Sequence, residues 1–458
     1  MTSVASTAPR ADRAIARLVL PSPPPAPGPL GVGALVRASR TNAISMWPEE
    51  AYEEPVVVRP FFGRRSILLS EPDAVRRVLL DNAANYGRTP SSTRILRPMV
   101  GAGLFFADGD EWTRQRRATT AGLGPRSLDR YAPSILDVLD RRLDELAGGG
   151  GTVDVLTLTQ RLALDVAGEA LLGFDMERHG AEVRALIDWY TLRAGKPDFL
   201  DYFMPVGLPT VRDPERWLIG WRWRRLLGRM IAERRGRARA EPDLFDALCA
   251  ARPAAGAPDL REEIATTLLA GHETTALAMF WAIYVLALAP GLQGPLVEEA
   301  RSFRPDRLGT AAVARALPRT RALVEEVLRL YPPAYLMVRV ARGPDELSGV
   351  AVRRRDVILI SPWVLHRHRR LWSDPEAFDP ARFLRPDSRP RFAYLPFGAG
   401  PRICVGAAFA LLEATLFVAR LLDRFEPVSV EAAPVIPTGI VTLQPDRRAR
   451  FQLKPRRR

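Results

Sequence analysis

The run Phe397-Gly-Ala-Gly-Pro-Arg-Ile-Cys404-Val-Gly406 sets one cysteine among glycines, just behind an arginine, at the mouth of an apolar segment. A cysteine binds a metal as the thiolate, and the free N–H groups of a helix N-terminus favour that anion. Gly406 to Phe425 carries apolar residues at helical spacing, so such an N-terminus follows Cys404 directly. Gly398, Gly400 and Gly406 let the backbone turn sharply and approach a flat macrocycle. Arg402 could pair with a haem propionate, and Phe397 could cover the sulfur side of the ring. A haem iron ligated by Cys404 makes use of every one of these residue types. The other cysteine, Cys249 in DLFDALCAAR, reads as a small buried apolar residue.

A second candidate lies in Ala270-Gly-His-Glu-Thr-Thr275. Glycine and two threonines are poor choices inside a long helix, and a local rule broken there points to a site. Ala270 and Gly271 would open a groove wide enough for dioxygen. Thr274 can turn its hydroxyl to the Ala270 carbonyl four residues back and loosen that turn. Glu273 offers a titratable relay to bulk solvent, and His272 reads as a helix-surface residue. Elsewhere, Glu326 and Arg329 stand three apart on one helix face, and Trp112 and Arg116 stand four apart on another. The latter pair fits a propionate clamp, while Arg114 and Arg117 point elsewhere and could meet a redox partner.

The spacing F-x-x-G-x-R-x-C-x-G resembles the haem-binding signature of the cytochrome P-450 family, with every defining position filled. The family's haem is ligated by a cysteine thiolate. The Ala270–Thr275 run is similar to the family's oxygen-activation segment, an acid–alcohol pair that feeds protons to dioxygen, which implies catalytic roles for Thr274 and Glu273. Trp372-Ser-Asp-Pro-Glu-Ala-Phe-Asp-Pro-Ala-Arg382-Phe383 supplies the third member of what resembles the family's Glu–Arg–Arg core. Glu326, Arg329 and Arg382 would then form a buried structural triad. Arg339 occupies the position where similar proteins hold a second propionate. These signatures lie in the family's order over residues ~100 to 415.

The elements that must hold these residues can be read along the chain. Residues 1–30, with Pro21-Ser-Pro-Pro-Pro-Ala-Pro-Gly-Pro29, read as a flexible or polyproline lead-in to a single domain over 31–458. Pro55 to Pro60 and Arg65 to Ser70 read as two strands about a Phe-Phe-Gly-Arg turn. Helices fill most of Ser127 to Arg329, broken near Gly148–Gly151. A second strand-rich patch spans Val338 to Ile360. The clearest helix opens near Asp259, with Glu262 three residues on as a capping-box variant, and nothing stops it before Pro290. The sum is a mainly α fold with a small β-rich lobe drawn from both ends of the chain, which the resemblance makes the P-450 fold.

Composition bounds the function. The chain has 458 residues, 47% hydrophobic, with a formal net charge of +14 carried almost wholly by arginine. The arginines are scattered and no nucleic-acid motif appears, so a nucleic-acid partner is not expected. Two cysteines suit a reducing compartment. The longest apolar stretch, Ala276 to Ala289, is too short to span a bilayer, so no transmembrane anchor and a cytoplasmic location are expected.

The resemblance implies a cofactor, haem b, and monooxygenation: one oxygen atom enters a hydrophobic small molecule by hydroxylation or epoxidation, and the other leaves as water. No flavin, nicotinamide or iron–sulfur motif is present, so a separate ferredoxin or flavoprotein electron donor is implied. A peroxide-driven peroxygenase or a rearrangement enzyme is the alternative within catalysis, and the Glu273–Thr274 pair argues against it. A non-catalytic haem protein that binds a ligand is the alternative outside it. Specificity would lie before Trp112 (Phe105, Phe106), around Tyr190 to Trp223, and near Tyr335 to Val338, all apolar or aromatic.

Overall fold

A helix apolar on every side belongs inside a protein, and residues 276–288 form such a segment. The computed structural model describes residues 18–456 apart from Phe62, 148–150, Phe203, 205–206, 238–240, 252–259, 305–309 and 387–388. Helices of ten or more residues are, in chain order, α1 Val32–Thr41, α2 Pro90–Val100, α3 Gly109–Leu123, α4 Tyr131–Ala147, α5 Val155–Asp165 and α6 Met176–Trp189. They continue with α7 Asp213–Arg235, α8 Leu260–Leu288, α9 Gln293–Ser302, α10 Pro318–Leu330 and α11 Ala407–Arg424. The cap expected at Asp259 lies outside the described residues.

From Thr275 to Ala287 every residue of α8 is buried. The helix packs against α5, α7, α10 and α11, and Trp281 stacks on Tyr331 at 4.2 Å while its indole N–H donates to the Leu443 carbonyl. Among the described residues no single helix is long and apolar enough to cross a membrane.

The strands are β1 Val56–Phe61, β2 Arg64–Leu69, β3 Tyr86–Gly87, β4 Thr152–Asp154, β5 Met337–Ala341 and β6 Asp345–Leu347. After them come β7 Val350–Val352, β8 Val357–Ile360, β9 Phe425–Ser429, β10 Pro437–Gly439, β11 Leu443–Pro445 and β12 Arg450–Pro455. The main sheet has the order β1-β2-β8-β5-β3, so both halves of the chain build it. β2 and β8 run parallel, Ser66 opposite Val357; its other pairs are antiparallel. The mainly α architecture with a β lobe from both ends is as the sequence reading expected.

The segment from Leu18 differs from a free polyproline lead-in. Leu18 accepts from the Phe378 N–H, Pro21 accepts from the Tyr331 hydroxyl, and the Ala26 N–H donates to Trp47. Proline carbonyls remain good acceptors, and the buried Tyr331 hydroxyl uses one. Residues 1–17 lie outside the described residues.

Candidate functional site: a cysteine loop facing a buried cavity

The loop leading to α11 closes on itself. The Cys404 N–H donates to the Phe397 carbonyl (2.9 Å) and the Ile403 N–H to the Gly400 carbonyl (3.1 Å). Gly398 and Gly400 have φ of 69° and 72°, where a side chain is strained. A Cβ on Gly400 would stand 1.8 Å from the Leu79 carbonyl oxygen, so this loop can lie on the Arg77–Asp81 turn only with glycine there. Gly406 caps α11, and its N–H is directed at the Cys404 sulfur. Arg116 on α3 donates from Nη1 to the Ile403 carbonyl at 2.6 Å.

Burial pushes the Cys404 thiol up, while the Gly406 N–H and the Arg116 charge favour the thiolate. The sulfur faces cavity space rather than outer solvent, so a side chain that water can touch is still enclosed on its other sides. That cavity is about 1450 Å³, and the ten residues expected to hold haem or serve it, Trp112 through Gly406, all line it.

The electrostatics of one cavity wall favour an anion. Arg339 is held down by burial and by the Arg402 charge. Arg402 ion-pairs with Asp108 and lies 4.7 Å over the Trp112 ring, yet its Nη1 is buried without a hydrogen-bond partner. Arg88 is pushed down to about 9 by burial, then by Arg339 and Arg402, and its guanidinium covers the Phe105 ring at 4.1 Å. Three mutually repelling guanidiniums with one exposed carboxylate among them suit two propionates. The donor set of a cysteine loop, a large cavity and these arginines therefore fits haem. Sequence reasoning missed Arg88: no motif surrounds it, and only the sheet brings β3 and β5, with Arg339, together.

On α8, Ala270 is exposed to the cavity and accepts from the Thr274 hydroxyl at 2.6 Å, as the spacing suggested. Glu273 differs from the expected relay to bulk solvent. It is buried, and its Oε1 accepts from the Thr442 hydroxyl (2.9 Å) and the Gln444 amide (2.5 Å). Burial raises its carboxyl, and those two hydrogen bonds act against the rise. His272 is buried rather than on a surface, because its side of α8 packs against α5; burial lowers its imidazole to about 4. Arg114 turns to Glu111 and the Ala251 carbonyl, which occupies a side chain expected to reach outward; Arg117 is exposed. Cys249 packs against the core as a small apolar residue.

Beneath the loop, Glu326 and Arg329 are fully buried and paired through two 2.7 Å hydrogen bonds. Arg382 approaches Glu326 at 3.6 Å but spends its hydrogen bonds on Ser373 and the Asp374 carbonyl. Arg329 also donates to the carbonyls of His366, Pro375 and Ala377. His366 bridges onward: Nδ1 meets the Arg329 carbonyl at 3.0 Å, and Nε2 accepts from the Leu395 N–H at 2.8 Å. The triad thus reaches the cysteine loop through one imidazole.

The sequence profile of the family described as Cytochrome P450 matches residues 21–450. Protein LUTEIN DEFICIENT 5, chloroplastic, of Arabidopsis thaliana is 30% identical, covering 83% of this chain and 68% of that protein. Putative cytochrome P450 132 of Mycobacterium tuberculosis (strain ATCC 25618 / H37Rv) is 32% identical over 79% of this chain and 82% of its own length. Cyclooctatin synthase of Streptomyces melanosporofaciens is 29% identical over 83% and 85%. Together with the mainly α fold and its β lobe, these matches establish that the chain belongs to the cytochrome P450 family and is a haem-dependent monooxygenase.

Proposed function

We propose that the enzyme hydroxylates or epoxidises a hydrophobic small molecule, using haem b held through Cys404 and electrons from a separate ferredoxin or flavoprotein. The observation that carries this reading is the single cavity shared by the Cys404 sulfur and the Ala270–Thr274 turn of α8. Cys404 would ligate the iron; Arg88, Arg339 and Arg402, with Trp112, would hold the propionates; and Arg116 would keep negative charge on the sulfur side. The chemistry that haem supplies when bound is reductive cleavage of dioxygen, thiolate-assisted, with two electrons and two protons consumed.

Thr274 has the primary protein role in that chemistry. Its hydroxyl sits on the cavity side of α8, held by Ala270, where it can order a water and pass on a proton. Glu273 can act as the relay only by exchanging Thr442 and Gln444 for water, so it stands second to Thr274. Glu326, Arg329 and Arg382 serve the fold and haem retention. The proposed compartment is the cytoplasm, since two cysteines suit a reducing environment.

The reduced protein with carbon monoxide should show the red-shifted band of thiolate ligation; its absence ends this reading. Turnover should require a reductase chain, and turnover supported by peroxide alone would favour the peroxygenase alternative.

A further inference from the structure

The arginines of the propionate wall, Arg88, Arg339 and Arg402, come from separate stretches of chain, and one loop touches two of them. That loop is residues 101–108, between α2 and α3. Its first part is fastened to α8: the Ala102 N–H donates to Glu262 Oε2 at 3.1 Å, and a Cβ on Gly103 would stand 2.4 Å from the Thr266 hydroxyl. The Phe106 and Ala107 N–H groups then close a turn on the Gly103 carbonyl, at 2.8 and 3.0 Å. Asp108 pairs with Arg402, and Phe105 meets Arg88.

Arg88 has little else to hold it. Among the described residues its side chain makes no hydrogen bond and no ion pair, while Arg339 and Arg402 repel it. Its guanidinium lies 4.1 Å from the Phe105 ring centroid and 5.3 Å from that of Phe106, two rings packed edge to face at 5.0 Å. Phe106 in turn packs against the main core. A guanidinium meets a ring with its flat side and donates from its edge, so its N–H groups stay free for an anion. Between the two partners the chain runs out along α2, 11 residues and roughly 16 Å, with Ser92, Ile95 and Leu96 lining the cavity. The Arg88–Phe105 contact closes that excursion and ties this cavity wall to the cationic one.

We infer that Phe105 is a positioning residue for the haem: it seats Arg88 toward a propionate and couples the cavity wall between them to cofactor retention. The inference rests on the reading of Arg88 as a propionate ligand and adds what holds it there. Such coupling runs both ways, so losing Arg88 loosens the loop as losing Phe105 loosens the haem.

The test is a double-mutant cycle on the holoenzyme, scored by haem transfer to apomyoglobin. F105L removes the ring face at similar size and should speed haem loss about threefold, the worth of one partly exposed cation–ring contact. F105Y keeps the face and should stay within about twofold of wild type. With R88A about tenfold faster, R88A/F105L should match R88A alone, because the ring acts only through the guanidinium. Amide exchange of Phe106 and Ala107 should quicken in R88A and F105L alike, while α3 stays protected. Wild-type haem loss in F105L overturns the inference, as does a double variant near thirtyfold, the product expected if Phe105 merely packs the loop. If the double variant does not fold, F105Y decides, and loss as fast as in F105L counts against the ring face. Unchanged loss in R88A removes the propionate reading itself, whereas fast loss in R88A beside wild-type loss in F105L strikes this inference alone. The carbon monoxide band of the same preparations reports separately on the haem–thiolate reading.

Discussion

Glu326→Ala is the substitution that tests the architecture behind the cysteine loop. Glu326 is fully buried and accepts from Arg329 Nε and Nη2 at 2.7 Å each and from the Asp379 N–H at 2.8 Å, with Arg382 Nε at 3.6 Å. Its removal leaves the Arg329 guanidinium buried among three carbonyls with no anion. Breaking a buried pair in this way costs ~3–5 kcal/mol. Unfolding entropy of roughly 2.1 cal/mol/K per residue makes about 1 kcal/mol per degree for a chain of this length, so Tm should fall by roughly 3–5 °C. The local consequence should exceed the global one. Arg329 carries His366, and His366 carries the Leu395 N–H at the start of the cysteine loop. Haem content by pyridine haemochromogen should therefore drop to a minor fraction, and the carbon monoxide band should shift from its thiolate position in what remains. Replacing the triad together, Glu326→Leu with Arg329→Met and Arg382→Leu, should recover much of the lost stability, because apolar residues of similar volume often replace buried ions at little cost. A Glu326→Ala protein with full haem and an unchanged Tm would refute the reasoning.

Three further outcomes follow from the site. Thr274→Ala removes the hydroxyl that bonds Ala270, so product formed per dioxygen consumed should fall severalfold while the ferric spectrum stays as it was; an unchanged coupling ratio would remove Thr274 from proton delivery. Arg88→Ala should speed haem loss to an apomyoglobin acceptor about tenfold, the worth of one charge-assisted hydrogen bond, and unaltered loss would detach Arg88 from the propionates. Acid should destabilise the fold through His366, which burial holds down to about 3 even though the Arg329 carbonyl acts the other way. Unfolded, it binds its proton below ~6.5, so between that pH and about 3 the unfolded state holds more protons and stability falls with pH, by up to ~4–5 kcal/mol at the bottom. Nε2 accepts from the Leu395 N–H, which a protonated nitrogen cannot do, so haem should be released in the same window. Urea midpoints between pH 7 and 4 read this, and His366→Asn should flatten the slope; equal slopes would exonerate the imidazole.

What could be read from the chain before its structure was known divides by the range of the interaction. The Cys404 loop, the Thr274–Ala270 bond and the Glu326–Arg329 pair each lie within a few residues, so residue types at fixed spacing announce them. The burial of Glu273 has no local signal, because its partners, Thr442 and Gln444, return from about 170 residues away on the β11 hairpin. No spacing rule reaches that far. Arg88 escaped for the same reason, since its character is conferred by Arg339 and Arg402 and not by its neighbours in sequence. His272 is different, because the sequence beside it carries the signal of its burial. The run from Ala276 to Ala289 is apolar on every side, which already says that this half of α8 has no solvent face, and His272 stands one turn before it on the same helix.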